Sequence, residues 1–302
     1  MIVTVTLNPA VDKTATLACL HVDAVNRLRS VCSVAGGKGI NVAKVLRQFH
    51  LSVAAMGFLG GRSGRMIEES MEELGVDVRF TTITGETRTN LNLLADDGTV
   101  TEILDPGPEV TGKEINQFER NFLGSLEECE MVVFSGSIPK GVPEDIYARL
   151  LESCARMGVP TILDTSGEPL KKALEGSAKP FLIKPNQAEL ETLCGRKLKK
   201  REEVVEEAQK LVDSGTGVVV VSMGAEGLLY VDREHTLFEP AKSVAVQNTV
   251  GCGDTAVASL CMSILGGDTA QVAARKAAAL AAANAVTAQS AVVDMDTYLK
   301  LL

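Results

Sequence analysis

Apolar runs of strand length alternate with stretches of helical spacing along most of the chain. The alternation is most regular after residue 112, where an apolar run is followed by a polar turn and then by a helix pattern. Repeated β-loop-α units predict a mostly parallel sheet with right-handed crossovers and helices on both faces. The predicted strands are residues 2–7, 53–58, 131–134, 161–163, 181–183 and 218–221, and the predicted helices are residues 65–74, 114–126, 144–157, 170–174, 202–214 and 271–288.

A second set of segments is too polar for that sheet. Residues 13–18 and 27–34 alternate like strands, but they carry too many polar residues to be covered on both faces. Residues 87–95 and 99–104 alternate in the same way, and an Asp-Asp-Gly turn at 96–98 joins them into a predicted hairpin. We therefore expect a second, smaller sheet built from these four segments.

The composition is that of a soluble globular protein, with 302 residues, 45% hydrophobic and 23% charged. A net charge of −9 argues against a nucleic-acid partner, although local cations can still bind a small anion. We expect no membrane segment and no signal peptide, because no apolar run reaches 18 residues and no basic leader precedes the first strand. Seven scattered cysteines without CxxC spacing favour reduced thiols and a cytoplasmic location.

The densest candidate chemistry lies in the turn from Asn248 to Asp254, which reads Asn-Thr-Val-Gly-Cys-Gly-Asp. A strand-like run at 243–246 precedes this turn, and an apolar helix pattern follows it. A glycine turn that opens a helix leaves backbone N–H groups free at the positive end of the helix dipole, which suits a phosphate. Asp254 is either a simple helix-terminal charge or a general base for a hydroxyl that attacks this phosphate.

A second glycine loop runs from Ala35 to Ala43 and also opens a helix pattern. It is not a Walker A loop, because no Ser or Thr follows Lys38. The loop is either only a tight turn or a place where the backbone approaches a polar ligand, with Lys38 and Asn41 as hydrogen-bond donors. Arg88, at the start of a polar strand, is either a solvated edge charge or a phosphate clamp.

Polar residues and glycines also gather directly after the predicted strands of the main sheet, at 135–141, 164–167, 184–189 and 222–227. Ligands of open α/β sheets bind at these carboxyl ends. No GxGxxG motif follows any strand, which argues against a dinucleotide cofactor. We therefore expect one ligand site along this edge of the sheet.

Six segments in this order resemble the ribokinase/PfkB family of carbohydrate kinases, in the branch of 1-phosphofructokinases and tagatose-6-phosphate kinases. They are residues 6–12, 35–43, 87–88, 135–137, 184–186 and 249–254, and the resemblance spans essentially the whole chain. It implies an α/β fold, a ribokinase-like three-layer sandwich with a mostly parallel central sheet and a small β-sheet lid. It further implies one kinase domain over residues 1–302, with a discontinuous lid from about 12–18, 27–35 and 87–104. A homodimer through the lid is compatible with this resemblance.

The resemblance also implies roles for individual residues. Asp254 matches the catalytic base, and Gly251, Cys252 and Gly253 match its anion hole. The positions that match sugar-phosphate contacts are Asp12, Gly36, Gly37, Lys38, Asn41, Arg88, Ser137 and Lys140. Those that match nucleotide contacts are Lys184, Asn186, Ser222, Gly224, Gly227, Thr249 and Asn284, and Glu189 matches an acid linked to Mg²⁺ through water. Taken alone, Lys184 would be a solvated side chain and Glu189 a first-turn helix acid.

The activity implied by the resemblance is ATP- and Mg²⁺-dependent phosphorylation of a ketohexose monophosphate to the 1,6-bisphosphate. Residues 87–90 look more like the fructose 1-phosphate enzymes, and residues 101–108 look more like the tagatose 6-phosphate enzymes. Fructose 1-phosphate is the leading substrate and tagatose 6-phosphate the alternative. Fructose 6-phosphate or an unphosphorylated sugar also stays open, although Arg88 argues against the latter. A sugar-phosphate sensor without catalysis is a further alternative, against which the intact Asp254 and glycine turn count.

Cys252 departs from the family pattern, which commonly has Ala at this position. A thiol at a helix N-terminus predicts a lowered pKa and a reactive side chain that ATP would protect. The alternative is an inert residue that fills the space of Ala.

Overall fold

A computed structural model describes residues 1–302 as an α/β protein with two separate sheets. The strands are β1 (Ile2–Thr6), β2 (Ala10–Leu17), β3 (Ser30–Gly36), β4 (Val53–Leu59), β5 (Asp77–Val78), β6 (Thr81–Thr82), β7 (Arg88–Ala95), β8 (Val100–Ile103), β9 (Met131–Ser135), β10 (Thr161–Asp164), β11 (Leu182–Ile183), β12 (Val218–Ser222), β13 (Gly227–Val231) and β14 (Thr236–Pro240). The helices are α1 (Lys38–Gln48), α2 (Gly61–Glu73), α3 (Gly112–Ser125), α4 (Ile146–Met157), α5 (Gly167–Glu175), α6 (Gln187–Cys194), α7 (Arg201–Asp213), α8 (Cys252–Leu265), α9 (Ala270–Ala285) and α10 (Met295–Leu301). None of these helices has both the length and the apolar character that a membrane span requires.

The larger sheet has the strand order β14-β13-β12-β11-β10-β9-β1-β4-β5, and β6 also pairs with β4. The neighbours from β12 across to β5 are parallel. The pairs β12–β13 and β13–β14 are antiparallel, so the sheet is mostly parallel with one antiparallel edge. All residues of β1, β4, β9 and β10 are buried, as expected for strands covered on both faces.

Two hydrophobic cores lie on opposite faces of the large sheet. Alternate residues of one strand belong to different cores, with Ile2 in the first and Val3 and Val5 in the second. The first core includes residues of α1, α2, α8, α9 and α10, and the second includes residues of α3 to α7. This arrangement confirms the predicted three-layer sandwich.

The smaller sheet has the order β3-β2-β7-β8 and is built from the four polar segments. Its register gives the sheet two different faces, because residues directly opposite each other point to the same side. Asp12 lies opposite Asn90 on one face. Ala15, three residues further along β2, lies opposite Val31 and Leu93 on the other face. The sheet therefore has a polar face that carries Asp12 and a largely apolar face behind it, on which Lys13 is an exposed charged residue.

The structure corrects several predicted boundaries. Residues 243–246 are not a strand, and Val246 is 60% exposed. The chain leaves the sheet at Pro240, which ends β14 and has no N–H to donate to a neighbouring strand. The predicted helix 271–288 ends at Ala285, and the predicted helix 65–74 begins already at Gly61. The β13–β14 hairpin and helices α6 and α10 are additions that the sequence pattern did not predict.

Candidate active site

Asp254 lies in the first turn of α8 and is almost completely buried, with 7% of its surface exposed. Asn41, on α1, donates a hydrogen bond from Nδ2 to Asp254 Oδ2 at 2.7 Å. This contact fixes one oxygen of the carboxylate, and the protein donates no hydrogen bond to the other oxygen. The two glycine loops predicted from the sequence therefore meet at this carboxylate, because α1 opens from one of them and α8 from the other.

The turn before Asp254 presents free backbone amides. Gly251 caps α8 in the left-handed region with φ of 85°. The amides of Gly251, Gly253 and Asp254 donate to no acceptor in the protein, whereas the amide of Cys252 donates to the carbonyl of Thr249 at 3.3 Å. Three amides at a helix N-terminus form a site suited to an anion such as a phosphoryl group.

The environment of Asp254 changes its acidity. Burial, with the negative charge of Asp164 as a second cause, raises the pKa of Asp254 from 3.8 to about 6, although Lys38 and the Asn41 hydrogen bond oppose the shift. A carboxylate with this pKa is mostly ionised at neutral pH and is a stronger base than an ordinary aspartate. It therefore has the properties of a general base.

Two lysines lie beside the turn and share one buried carboxylate. Lys184 Nζ is 3.5 Å from Asp164 Oδ1, and Lys38 Nζ is 3.4 Å from Asp164 Oδ2. A Cβ on Gly253 would lie 3.4 Å from Lys184 Nζ, so this ammonium is directly beside the anion turn. Lys184 is only 4% exposed, which excludes the alternative of a solvated side chain.

The charges of this cluster stabilise one another. Burial alone would raise the pKa of Asp164, but the attraction of Lys184 and Lys38 outweighs it and lowers this pKa. Burial alone would lower the pKa of Lys38, but the attraction of Asp164, Asp254 and Glu189 raises it. Both lysines keep a fixed negative partner, so positive charge stays at the turn.

Asp12 lies on the polar face of the small sheet. Its Oδ1 accepts a hydrogen bond from Asn90 Nδ2 at 2.9 Å. Gly36 lies against the same carboxylate, because a Cβ at Gly36 would be 2.0 Å from Asp12 Oδ2. Gly37 has φ of 114° and caps α1, which carries Asn41. The residues of the first glycine loop are thus placed between Asp12 and Asp254.

Arg88 and Ser137 both contact Asn8, which lies in the short loop between β1 and β2. Arg88 donates to the carbonyl oxygens of Asn8 at 2.8 Å and of Asp105 at 2.9 Å. Its Nε is buried and has no hydrogen-bond partner. Asn8 Nδ2 donates to Ser137 Oγ at 3.4 Å. Lys140 lies apart from this group, because it is exposed and pairs with Glu109 at 2.7 Å.

The residues predicted on the nucleotide side line the ends of β11, β12 and α9. Asn186 caps α6 and exchanges hydrogen bonds with Glu189. Ser222, at the end of β12, is bridged to Asn186, and Gly224 and Gly227 follow it with positive φ. Thr249 is exposed at the start of the anion turn.

Asn284 lies behind the anion turn. It is completely buried, and its Nδ2 donates to the carbonyl of Val250 at 3.1 Å and contacts Cys252 Sγ at 3.4 Å. Its Oδ1 has no partner. These contacts hold the turn from the side of α9.

Glu189 is the acidic residue that fits a divalent cation. Its Oε2 accepts the amide of Asn186 at 2.8 Å, whereas Oε1 accepts no hydrogen bond and lies 3.9 Å from Lys38 Nζ. One free carboxylate oxygen suits Mg²⁺, which keeps several waters and binds through one or two carboxylates together with substrate phosphates. No group of three or more His, Cys, Asp or Glu side chains is arranged as an all-protein metal site.

Cys252 does not behave as the sequence predicted. Burial raises the pKa of its thiol and the charge of Asp254 raises it further, although the contact with Asn284 opposes the shift. The prediction of a lowered pKa at this helix N-terminus is therefore wrong. The burial of the thiol, together with the negative charge of the neighbouring carboxylate, is the physical reason for the difference.

Four residues at the site were not singled out from the sequence as functional. Asp164 holds the two lysines, Asn90 holds Asp12, Asn8 contacts Arg88 and Ser137, and Lys44 on α1 lies near both Asp12 and Asp254. The positions of these residues in the chain were the signal that could have identified them. Asn8 lies just after the buried strand β1, Asp164 is the last residue of the buried strand β10, and Lys44 lies one helical turn after Asn41.

The comparisons with known proteins agree on one family. The family model described as pfkB family carbohydrate kinase matches residues 5–297. Phosphofructokinase-2 from Escherichia coli is 29% identical, with a TM-score of 0.92 over 99% of this chain and 97% of that chain. Other structures of that enzyme hold fructose-6-phosphate or form an inhibited tetramer.

Two further structures are similar. A Thermotoga maritima protein described as a possible 1-phosphofructokinase is 29% identical, with a TM-score of 0.91 over 100% of this chain and 97% of that chain. Arabidopsis thaliana ribokinase is 22% identical, with a TM-score of 0.79 over 99% of this chain and 97% of that chain, and shows the same fold.

Proposed function

The chain belongs to the pfkB family of carbohydrate kinases, and from this premise we propose that it transfers the γ-phosphoryl group of ATP to a primary hydroxyl of a ketohexose monophosphate. One observation carries the proposal. Asp254 is buried and held by Asn41, directly after a turn with three free amides. A base beside an anion site is the arrangement that phosphoryl transfer to a hydroxyl requires.

In the proposed mechanism, Asp254 takes the proton of the attacking hydroxyl. Its Oδ2 is held by Asn41, so Oδ1 is the oxygen available to the substrate. A pKa of about 6 keeps the carboxylate ionised at neutral pH, while it still binds a proton more strongly than a free aspartate. The proton is therefore accepted as the hydroxyl oxygen attacks phosphorus.

The anion turn and the lysines bind the phosphoryl group that is transferred. The amides of Gly251, Gly253 and Asp254 donate to its oxygens, and Lys184 and Lys38 add positive charge beside them. Glu189 would hold Mg²⁺ through water, and the bound ion would add positive charge at the phosphates. The remaining nucleotide contacts in this proposal are Asn186, Ser222, Gly224, Gly227 and Thr249, and Asn284 supports the turn from behind.

Asp12 and Arg88 define the sugar end of the proposed site. Asp12, oriented by Asn90, accepts hydrogen bonds from sugar hydroxyls, and the small sheet that carries it acts as the lid that excludes water. In this proposal Arg88 binds the substrate phosphate in exchange for its hydrogen bonds to the carbonyls of Asn8 and Asp105, and Ser137 assists it. Lys140 would contact the substrate phosphate only if its exposed ion pair with Glu109 were broken.

Fructose 1-phosphate is the proposed substrate. The sequence of residues 87–90 supports this choice, and the Thermotoga maritima protein described as a possible 1-phosphofructokinase is similar over the whole chain. Tagatose 6-phosphate and fructose 6-phosphate share the ketohexose monophosphate chemistry and are the competing substrates in the test.

The test is a coupled assay of ADP release with ATP, Mg²⁺ and a panel of the three sugar phosphates and free fructose. We expect the highest kcat/KM for fructose 1-phosphate and little turnover of free fructose.

Asp254→Asn should lower kcat by about 10²–10⁴-fold, because general base catalysis typically contributes this factor. The control is Asp296→Asn, which removes an exposed carboxylate from the first turn of another helix and should leave the rate unchanged. Absence of ADP release with every sugar, or near wild-type turnover by Asp254→Asn, would overturn the proposal.

We also propose that two chains associate through the apolar face of the small sheet. Val31 and Ile103 expose 55% and 53% of their surfaces on this face. A monomer would leave these side chains in water.

A further inference from the structure

Asn8 lies in the short loop between β1 and β2, and only 4% of its surface is exposed. Its Nδ2 donates a hydrogen bond to the carbonyl oxygen of Pro106 at 3.0 Å and a longer one to Ser137 Oγ at 3.4 Å. Pro106 belongs to the segment between β8 and α3, and Ser137 follows β9. One side chain therefore joins the strand ends of the large sheet to the segment by which the chain leaves the small sheet.

Residues 105–107 of that segment are held closely against Asn8. Gly107 has φ of 90°, and a Cβ there would lie 2.3 Å from Asn8 Oδ1. Its amide donates to Asp105 Oδ1 at 2.8 Å, and the amide of Asp105 donates to Asn90 Oδ1 at 3.3 Å. Only glycine fits at position 107 while Asn8 keeps its place, because a side chain would meet both the close contact and the left-handed backbone.

Arg88 is the cation at the centre of these contacts. Its guanidinium donates to the carbonyl oxygens of Asn8 at 2.8 Å and of Asp105 at 2.9 Å. It forms no ion pair with a carboxylate, and its buried Nε has no acceptor. A guanidinium whose partners are neutral carbonyl oxygens keeps its charge for an anion, and a phosphate is the anion that its fork of donors fits best.

The other polar atom of the Asn8 side chain has no partner. Its Oδ1 is buried and accepts no hydrogen bond. A buried acceptor without a donor lowers the stability of the folded state, so this atom gives no structural reason for an asparagine here. The Nδ2 group gives the reason, because it holds the segment whose Asp105 carbonyl is one of the two partners of Arg88.

We propose that Asn8 is a positioning residue for the phosphate of the sugar substrate. Its side chain holds residues 105–107 and Ser137 around Arg88, so that the phosphate end of the site is formed before the substrate binds. This inference rests on the proposed kinase function. None of the Asn8 contacts is with the anion turn or with a residue on the nucleotide side. Loss of its side chain should therefore weaken the use of the sugar phosphate and not the use of ATP.

The first experiment measures kcat and KM for fructose 1-phosphate, free fructose and ATP in the wild type, Asn8→Ala and Asn8→Asp. Asn8→Ala should raise KM for fructose 1-phosphate by about tenfold, roughly the effect of one lost hydrogen bond, and leave KM for ATP and kcat/KM for free fructose unchanged. Asn8→Asp keeps the shape of the side chain, but it cannot donate to Pro106 when ionised and repels the substrate phosphate. It should therefore raise this KM further.

The matched control for the added charge is Asn116→Asp, on an exposed part of α3, which should keep the wild-type constants. A role in packing alone makes a different prediction, because the isosteric Asn8→Asp would then be closer to the wild type than Asn8→Ala. That order of the two variants, or an equal loss with fructose 1-phosphate and free fructose, would overturn the inference.

A second pair of variants tests the contact from the opposite side. Gly107→Ala places a Cβ against Asn8 Oδ1, whereas Gly98→Ala, in the turn between β7 and β8, has a similar φ of 84° and no atom near its Cβ position. Gly107→Ala should reproduce the selective rise in KM of Asn8→Ala, and Gly98→Ala should keep the wild-type KM. A folded Gly107→Ala variant with the wild-type KM for fructose 1-phosphate would contradict the role of Asn8.

Isothermal titration calorimetry with fructose 1-phosphate, without ATP, separates this inference from the proposed function because it needs no turnover. We expect the Kd to be about tenfold higher in Asn8→Ala than in the wild type, by the same loss of one hydrogen bond. A wild type that shows this dependence on Asn8 but releases no ADP would refute the kinase function and keep the inference. An active wild type whose Kd is unchanged in Asn8→Ala would refute the inference alone, and a wild type that does not bind fructose 1-phosphate would refute both.

Discussion

At the scale of single residues, the raised pKa of Asp254 suits the proposed general base and also carries a cost in stability. Its pKa is about 6 in the folded protein against an ordinary value of 3.8, so the folded state binds a proton more tightly than the unfolded state. Its contribution to stability is therefore greatest at low pH and is lost as pH rises from about 4 through 6. Above pH 7 the ionised side chain destabilises the fold by about 3 kcal/mol relative to its protonated form.

We predict that Asp254→Asn stabilises the protein at the pH where the proposed mechanism needs an ionised base. The amide cannot ionise, so the variant should unfold with a free energy about 3 kcal/mol greater than the wild type at pH 8, because it avoids burying the charge. The advantage should shrink as pH falls through 6 toward 4. Urea unfolding of both proteins at pH 5 and pH 8 measures this difference. A constant difference at both pH values would show that the pKa of Asp254 is not raised.

The chemistry of individual residues could be predicted from the sequence only where a motif fixed the backbone around them. Asp254 and Asn41 lie within glycine loops, and the structure brings them into contact. Lys184 has no such local signal, because its burial depends on Asp164, which is twenty positions earlier and reaches the site only through the parallel pairing of β10 and β11. The raised pKa of Cys252 also depends on the tertiary structure, because burial of the thiol is its main cause and the charge of Asp254 adds to it.

At the scale of elements, the turn that opens α8 depends on the conformation of Gly251. Its φ is 85°, and a Cβ there would lie 2.9 Å from the backbone nitrogen of Ala291. We predict that Gly251→Ala displaces the turn, removes the anion site and lowers kcat/KM strongly. Gly158 is a matched control, because it has φ of 69° at the end of α4 and no atom near its Cβ position.

Both alanine variants must adopt a left-handed conformation, which costs about 1–2 kcal/mol. Thermal unfolding should therefore show a loss of stability in Gly158→Ala and a larger loss in Gly251→Ala, which adds the contact with Ala291. The steady-state assay should show full activity in Gly158→Ala and little in Gly251→Ala. Equal activities in the two variants would mean that the conformation of the turn at Gly251 is not needed to bind the phosphoryl group.

The elements of the fold could be predicted where burial leaves a simple pattern. The central strands are apolar on both faces, so each appears in the sequence as a short continuous run of apolar residues, as in β9 and β12. The alternation of strands and helices does not predict the β13–β14 hairpin, because the chain turns back at Gly227 instead of entering a helix after β12. Val244 and Val246 alternate in a way that predicts a strand over residues 243–246, but this segment pairs with no strand of either sheet.

At the scale of the whole molecule, the small sheet has more apolar surface than one chain can cover. Ala15, Leu17 and Leu93 form a separate small core on its apolar face, but Val31 and Ile103 on the same face stay about half exposed. The opposite face carries Asp12 and belongs to the site. Two chains that met through their apolar faces would therefore leave both sites open. The proposed dimer also explains why edge strands β3 and β8 expose so many of their residues.

We predict that the protein is a dimer in solution and that Val31→Lys with Ile103→Lys converts it to a monomer. A two-fold interface brings each introduced lysine against the same surface of the second chain, so the double variant places four uncompensated charges in the interface. A stable interface must bury roughly 1,000 Å² or more, and these charges oppose that burial. Sedimentation velocity should give a mass near twice the 32.0 kDa chain for the wild type and near one chain for the variant.

Leu299→Lys, on an exposed face of α10 where the side chain is 64% accessible, is the control and should remain dimeric. A monomeric wild type, or a dimer that the double variant leaves intact, would contradict association through the small sheet. If the double variant is monomeric but keeps its kcat, the site is complete within one chain, whereas a fall in kcat with unchanged stability would mean that pairing holds the lid over the sugar.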